Sequence, residues 1–195
     1  MGSFDRGAEA VMYTAAFYGT DFIIKSREPK KYRIHELDEE LRQLRTRREA
    51  KILAVLSGSG VPVPALICVG KHSIVMQRLD GKLLRDLKMG IYFYRKLGRI
   101  VRDMHSSGVA HGDLTPANIM LADRRTYIID FGLAEITHSA EEQALDLLLM
   151  KRSISKKEFA AFLRGYSEDN KTYKRTISRL ADIEKRGRYQ IRTLA

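Results

Sequence analysis

The feature that most constrains this chain is the ordered spacing of a few acidic and amide residues around two short apolar runs. His111-Gly112-Asp113 is followed by Asn118, an H-x-D-x-x-x-x-N pattern that leads straight into Ile119-Met120-Leu121. Asp130-Phe131-Gly132 stands directly after Tyr127-Ile128-Ile129, and the polar stretch Asp123-Arg124-Arg125 between the two strand-like runs has turn chemistry. Upstream, Lys25 ends the strand-like run Phe22-Ile23-Ile24, and Glu49 lies on the long helix-forming segment that follows. Phosphoryl transfer needs a base that orients the acceptor, ligands that hold magnesium on the phosphates, and a cation that grips the phosphate chain. Asp113, Asn118 with Asp130, and Lys25 offer these in turn. Each piece alone has a plain explanation: D-F-G recurs by chance, Asp and Asn favour turns, and Lys25 suits a solvated strand end. Their order, with strands and a helix where the mechanism needs them, points to a phosphotransfer site.

The rest of the chain supplies a frame for that site. Val11-Met12-Tyr13 and Phe22-Ile23-Ile24, separated by Tyr18-Gly19-Thr20-Asp21, read as an antiparallel hairpin. From Leu37 to Leu56, the apolar positions Leu37, Leu41, Leu44, Ile52, Val55 and Leu56 recur at helical spacing. Glu49 precedes Ile52 and Leu56 by three and seven residues, so of the several acids here it is the one that borders the buried stripe. Gly58, Gly60, Pro62 and Pro64 end this helix, and Leu66 to Val69 with Ile74 to Met76 read as a second strand pair. Cys68 inside it is expected to be a small core residue. After Gly81 the chain turns helical: Phe93, Leu97, Ile100, Val101 and Met104 form one stripe between Ile91 and Ser106, with Gly108 as a stop. Ser139 with Glu142 and Ser155 with Glu158 each spell a capping box, and a last helix is expected from about Lys171 to Lys185. His111 is expected to anchor backbone rather than titrate, because Asp113 already holds the position of the base.

Composition narrows the setting. At 195 residues, 44% hydrophobic and 30% charged, the chain fits one ordinary globular domain, and no run of about 18 apolar residues offers a membrane span. One cysteine excludes an internal disulfide framework and a cysteine-rich metal site, which suggests a cytoplasmic protein. Met1-Gly2-Ser3 opens like a myristoylation signal, but Arg6 stands where Ser or Thr is required, so the start is read as plain. The net charge of +11 favours polyanionic partners, and residues 171–195, with eight basic and two acidic side chains, hold more than half of it. A second basic cluster, Lys25, Arg27, Lys30, Lys31 and Arg33, lies beside the proposed phosphate-binding lysine.

The expected fold is α+β: a minimal two-lobed protein-kinase-like domain over 1–195. Residues 1–78 would form a small lobe of antiparallel sheet plus one long helix, 79–185 a mostly helical lobe with a very short activation segment, and 186–195 a basic tail. Two departures from ordinary protein kinases stand out. Gly112 replaces the Arg of H-R-D loops, and only Gly7 precedes the first strand where G-x-G-x-x-G is usual. No A-P-E follows Gly132, so the platform on which protein kinases lay peptides is largely absent.

These peculiarities resemble one family, the small atypical kinase subunit of the KEOPS (EKC) complex, also called the piD261 family. The likeness runs through Gly7-Ala8-Glu9-Ala10, Lys31-Tyr32-Arg33, Arg45-Thr46-Arg47-Arg48-Glu49-Ala50, His111-Gly112-Asp113-Leu114-Thr115 with Asn118, Asp130-Phe131-Gly132-Leu133, Asp146 and Lys185-Arg186-Gly187-Arg188. The resemblance implies an ATP- and Mg2+-dependent ATPase and Ser/Thr autokinase that works beside a threonylcarbamoyl transferase and other complex subunits on tRNA, with no membrane. Carried onto this sequence, it makes Lys25 and Glu49 the phosphate-gripping ion pair, Asp113 the catalytic base, and Asn118 and Asp130 the magnesium ligands. It places Gly7, Ala8 and Glu9 over the nucleotide and Met76, Gln77 and Arg78 at the hinge against adenine. The tail departs from the family pattern, because Gly187-Arg188 is followed by Tyr189-Gln190-Ile191-Arg192 rather than further cations. Other readings are a small-molecule kinase of the aminoglycoside phosphotransferase type, a RIO-type kinase, and a silent nucleotide-binding scaffold. The first usually has a larger helical lobe, the second typically lacks D-F-G, and the intact Lys25, Asp113, Asn118 and Asp130 argue against the third.

Overall fold

The computed structural model describes residues 2–6, 10–30, 32–168 and 173–192. Strand β1 (Gly2–Arg6) pairs antiparallel with β2 (Val11–Phe17), so the opening residues extend the sheet. β2 and β3 (Thr20–Ser26) form the expected hairpin, in register from Val11 opposite Ser26 to Phe17 opposite Thr20. Helix α1 (His35–Gly58) follows, then β4 (Leu66–Val69) and β5 (Ser73–Gln77). The five strands lie in the order β1-β2-β3-β5-β4. β4 is an edge, and Cys68 on it is exposed instead of lying in the core, because an edge strand at the rim leaves one face without a covering layer.

The inner face of α1 changes character along its length. Its C-terminal half buries Ile52, Leu53 and Leu56 almost completely, at about 1.5–3 kcal/mol of apolar transfer each. Its N-terminal half buries Asp38, Arg42, Thr46 and Glu49, while Leu37 and Leu44 of the expected apolar stripe point outward, 50% and 60% exposed. The cause is a polar network: Asp38 takes the Arg42 guanidinium at 2.7 Å and the Lys30 amide at 3.3 Å, which ties the connection between β3 and α1 to that face.

The helical lobe begins with β6 (Gly81–Leu83) and α2 (Ile91–Ser106), whose limits match the apolar periodicity. The short β7 (Val109–Ala110), β8 (Ile119–Ala122), β9 (Arg125–Ile128) and β10 (Glu135–Ile136) follow, then α3 (Ala140–Ser153), α4 (Lys156–Tyr166) and α5 (Tyr173–Arg192). β8 and β9 are joined through Asp123 and Arg124, both at positive φ (48° and 61°), the backbone a two-residue hairpin turn requires. α2 packs face to face on α4 through reciprocal glycines. A methyl group on Gly98 would meet the Phe162 carbonyl oxygen at 2.0 Å, and one on Gly165 would meet that of Arg95 at 1.9 Å. Ser155 and Glu158 form the full capping box of α4. Ser139 caps α3 through its own hydroxyl, but its amide is taken by Thr137 Oγ1 at 3.0 Å, so Glu142 does not close a box there. α5 continues to Arg192, past the expected end near Lys185, with no break at Gly187. Among the described residues no helix is long and apolar enough to cross a membrane.

Candidate active site

Strand alternation and helix pitch bring the first three charges together. Lys25 on β3 is 5% exposed and turns toward α1, where Glu49 lies on the same face as Ile52 and Leu56. Lys25 Nζ donates to Glu49 Oε1 at 2.7 Å and to Asp130 Oδ1 at 2.7 Å. Arg27, two residues beyond Lys25, falls on the same side and donates from Nη2 to Glu49 Oε2 at 2.7 Å. Arg33 pairs with Asp38 at 3.5 Å, Lys30 gives its amide to the same carboxylate, and Lys31 lies outside the described residues.

The loop carrying Asp113 is held from beneath by one carboxylate. Asp146 on α3 is fully buried and accepts the His111 amide at 2.6 Å, the Gly112 amide at 2.8 Å and His105 Nε2 at 3.0 Å. His111 Nε2 donates to the Ile129 carbonyl at 3.1 Å and Nδ1 accepts the Asp113 amide at 3.3 Å, so the neutral ring bridges the two acidic segments as a backbone anchor. Burial pushes the His111 pKa below its usual value despite the charge of Asp146 nearby. Gly112 has φ 79°, and a methyl group there would meet the Leu133 carbonyl oxygen at 2.5 Å, so the loop accepts no side chain at this point. Asn118 Nδ2 donates to the Asp113 carbonyl at 2.8 Å and to its Oδ2 at 2.9 Å, fixing the direction of that carboxylate.

Asp130 follows β9 with φ 60°, a left-handed conformation uncommon for a residue other than glycine and tolerated best by Asn and Asp. Burial alone would raise its pKa, but the charge and hydrogen bond of Lys25, with the Gly132 amide, hold the carboxyl below its usual range. Phe131 is buried with its ring centroid 5.0 Å from that of His111, which locks the Asp-Phe-Gly turn under the His111 loop. Lys25, Glu49, Asn118 and Asp130 line one cleft of about 550 Å³ between the sheet and the helical lobe. Met76, Gln77 and Arg78 border the same cleft, the first two still within β5. The amides of Gln77 and Arg78 are engaged by the carbonyls of Ala65 and Asp21. Gly7, Ala8 and Glu9 lie outside the described residues.

The donor set suits magnesium. Asp130 offers carboxylate oxygen, with its side chain 51% exposed, and Asn118 uses its Nδ2 on Asp113, leaving its carbonyl oxygen as the free end. Among the described residues no three His, Cys, Asp or Glu side chains gather as a cage. Magnesium prefers hard oxygen donors and commonly takes only one or two protein ligands beside phosphates and water. Two residues with a structural part were not picked out by chemistry in the sequence. Arg27 was one cation among five, and its i+2 spacing from Lys25 was the available signal; Asp146 was an acid set in the apolar run from Ala144 to Met150.

The chain matches known proteins over nearly its full length. A family model described as RIO domain matches residues 14–175. The chain is 38% identical to a probable serine/threonine-protein kinase BUD32 homolog of Archaeoglobus fulgidus, covering 86% of this chain and 88% of that one. It is 36% identical to the KEOPS complex subunit Bud32 of Pyrococcus abyssi, covering 96% of each. It is also 36% identical to a probable bifunctional tRNA threonylcarbamoyladenosine biosynthesis protein of Methanobrevibacter smithii, of which it spans 36%. In structure it is similar to the Rio2 kinase from Chaetomium thermophilum solved with ADP, Mg2+ and phosphoaspartate, with TM-score 0.67, 18% identity, and coverage of 95% of this chain and 70% of that one. That likeness establishes the two-lobed kinase-like fold.

Proposed function

Because the chain belongs to the Bud32 family of RIO-domain kinases, we propose that it transfers or hydrolyses the terminal phosphate of Mg-ATP as a subunit of the tRNA threonylcarbamoyladenosine machinery. The observation that carries this reading is Lys25 Nζ, 2.7 Å from both Glu49 and Asp130, facing the loop on which Asn118 aims the Asp113 carboxylate. In this reading Lys25 grips the phosphate chain with Glu49 as its anchor. Asn118 and Asp130 hold Mg2+, which offsets the charge on the phosphate oxygens. Asp113 accepts the proton of the attacking hydroxyl, from water or from a Ser/Thr side chain. Met76, Gln77 and Arg78 border the adenine, and the Gly7 to Glu9 segment covers the phosphates.

The proposed partner is the threonylcarbamoyl transferase. The Methanobrevibacter relative carries a segment like this chain within a bifunctional polypeptide, and most of its length lies outside the match. tRNA is assigned to the basic residues of α5, where Lys174 and Arg175 near its start and Lys185 and Arg186 in its second half are exposed. Phosphate contacts of this kind weaken steeply with salt.

The chain with Mg-ATP is expected to turn over nucleotide slowly alone and faster with transferase and tRNA. Asp113→Ala and Asp130→Ala should each lower that turnover at least about 100-fold, the usual scale for removing a base or an essential ligand. Undiminished hydrolysis in either variant would overturn the site. Truncation after Lys185 should weaken tRNA binding and flatten its salt dependence in a gel-shift series; unchanged binding would remove α5 from the tRNA contact.

A further inference from the structure

The carboxylate of Glu49 is shared between two cations. Oε1 accepts from Lys25 and Oε2 from Arg27, each at 2.7 Å, and the three side chains are 6%, 2% and 3% exposed for Lys25, Arg27 and Glu49. The two cations differ in freedom. Lys25 also reaches Asp130, a half-exposed group at the cleft. Arg27 is not among the residues that line the cleft: its amide is bonded to the His72 carbonyl at 2.9 Å, its carbonyl accepts Arg42 Nη1 at 3.4 Å, and its Nε and Nη1 are buried with no hydrogen-bond partner among the described residues. A guanidinium buried with unmatched donors is a costly way to fill space, and among the described residues its side-chain hydrogen bond is to Glu49.

We propose that Arg27 is a positioning residue for phosphate transfer, holding the Glu49 carboxylate in place while Lys25 exchanges Asp130 for the phosphate chain of the nucleotide. The charges require such a hold. Lys25, Arg27, Glu49 and Asp130 sum to zero as they stand. When Asp130 turns its charge to a divalent cation and Lys25 turns toward phosphate, Glu49 is left as a buried carboxylate whose first partner is now divided. Arg27 remains on the other oxygen, charged at every pH the fold survives, and is fastened at its backbone on both sides. The group of Lys25, Arg27 and Glu49 then carries one net positive charge beside the phosphates. Without Arg27 the same three positions would be neutral.

This inference rests on the phosphotransfer reading above, and its test separates the two. Mg-ATP hydrolysis and Mg-ADP binding are measured on the full chain for wild type, Arg27→Gln, Arg27→Lys, Glu49→Gln and the double variant Arg27→Gln/Glu49→Gln, with thermal unfolding as a check on folding. Arg27→Gln is expected to lower kcat about 10-fold or more while KM for Mg-ATP moves less than about 3-fold, and Arg27→Lys to restore most of the rate. The double variant should be no slower than Glu49→Gln alone, because Arg27 acts only through that carboxylate. A merely structural arginine would instead multiply the two losses. Losses that multiply, or a wild-type kcat in Arg27→Gln, overturn the inference and leave the phosphotransfer reading standing. If Arg27→Gln does not fold, the same cycle is run with Arg27→Met, and losses that multiply there overturn the inference in the same way. A wild type that neither binds Mg-ADP nor hydrolyses Mg-ATP overturns both.

Discussion

Two buried carboxylates organise the two walls of the cleft, and they do it differently. Asp146, under the Asp113 loop, is bound by two backbone amides and a histidine ring, all from segments that close on one another within the helical lobe. Glu49, behind Lys25, is bound only by side-chain cations, one of which has a second partner across the cleft. Amides cannot be redirected without unfolding the loop, whereas a lysine ammonium can trade one anion for another at little cost. The Asp113 loop is therefore built as a fixed part, and Lys25, which the proposed function turns toward the phosphates, as an exchangeable one.

The sharpest way to break this contrast is to remove the fixed carboxylate and, separately, the carboxylate that Lys25 gives up. Asp146→Ala leaves the buried His111 amide, the Gly112 amide and His105 without their acceptor and is expected to cost about 3–5 kcal/mol of stability, read as a lower urea midpoint with an unchanged slope. Asp130→Asn, at a side chain 51% exposed to water, should cost less than about 1 kcal/mol while removing turnover. If the two variants lose similar stability, the division into a fixed and an exchangeable wall is wrong.

That division was only partly legible in the sequence, and the reason is physical. Apolar periodicity and turn chemistry are local, so α2 from Ile91 to Ser106 and the β2-β3 hairpin could be read from composition along the chain. The D-F-G and H-G-D segments were legible because phosphate chemistry demands few residue types at fixed spacing. The N-terminal half of α1 was not. Its buried face is made of Asp38, Arg42 and Thr46, bonded to one another and to the β3-α1 connection, and such polar pairing leaves no hydrophobic period to count. Leu37 and Leu44 then misled, since they fit a helical stripe that faces away from the core. Cys68 misled for a related cause: strand propensity marks a strand but does not say that it will be an edge.

A smaller effect distinguishes the walls by pH. His111, on the fixed wall, is buried with its pKa pushed below its ordinary 6.5, first by burial, against the opposing charges of Asp146, Asp130 and Asp113, with His105 also on Asp146. The unfolded chain therefore takes up a proton below that pH before the folded chain does. Stability should begin to fall as pH drops through about 6.5, with a limiting slope near 1.4 kcal/mol per pH unit for one proton. Asp130, the anion that Lys25 holds, is below its ordinary 3.8, burial being outweighed by Lys25, and on the surface Glu168 is held at about 2, against an ordinary 4.5, by Arg99 and Arg95. Carboxylates held low stabilise the fold above their unfolded values and lose that contribution only as pH falls toward their folded ones. Urea midpoints from about pH 7.5 to 3 should accordingly show two declines, the upper one insensitive to salt because His111 is fully buried, the lower one reduced by salt because the Glu168 pairs face water. A midpoint that stays flat down to about pH 5.5 would mean that the Asp113 loop does not hold a neutral histidine, and the fixed wall would then be no more rigid than the one opposite.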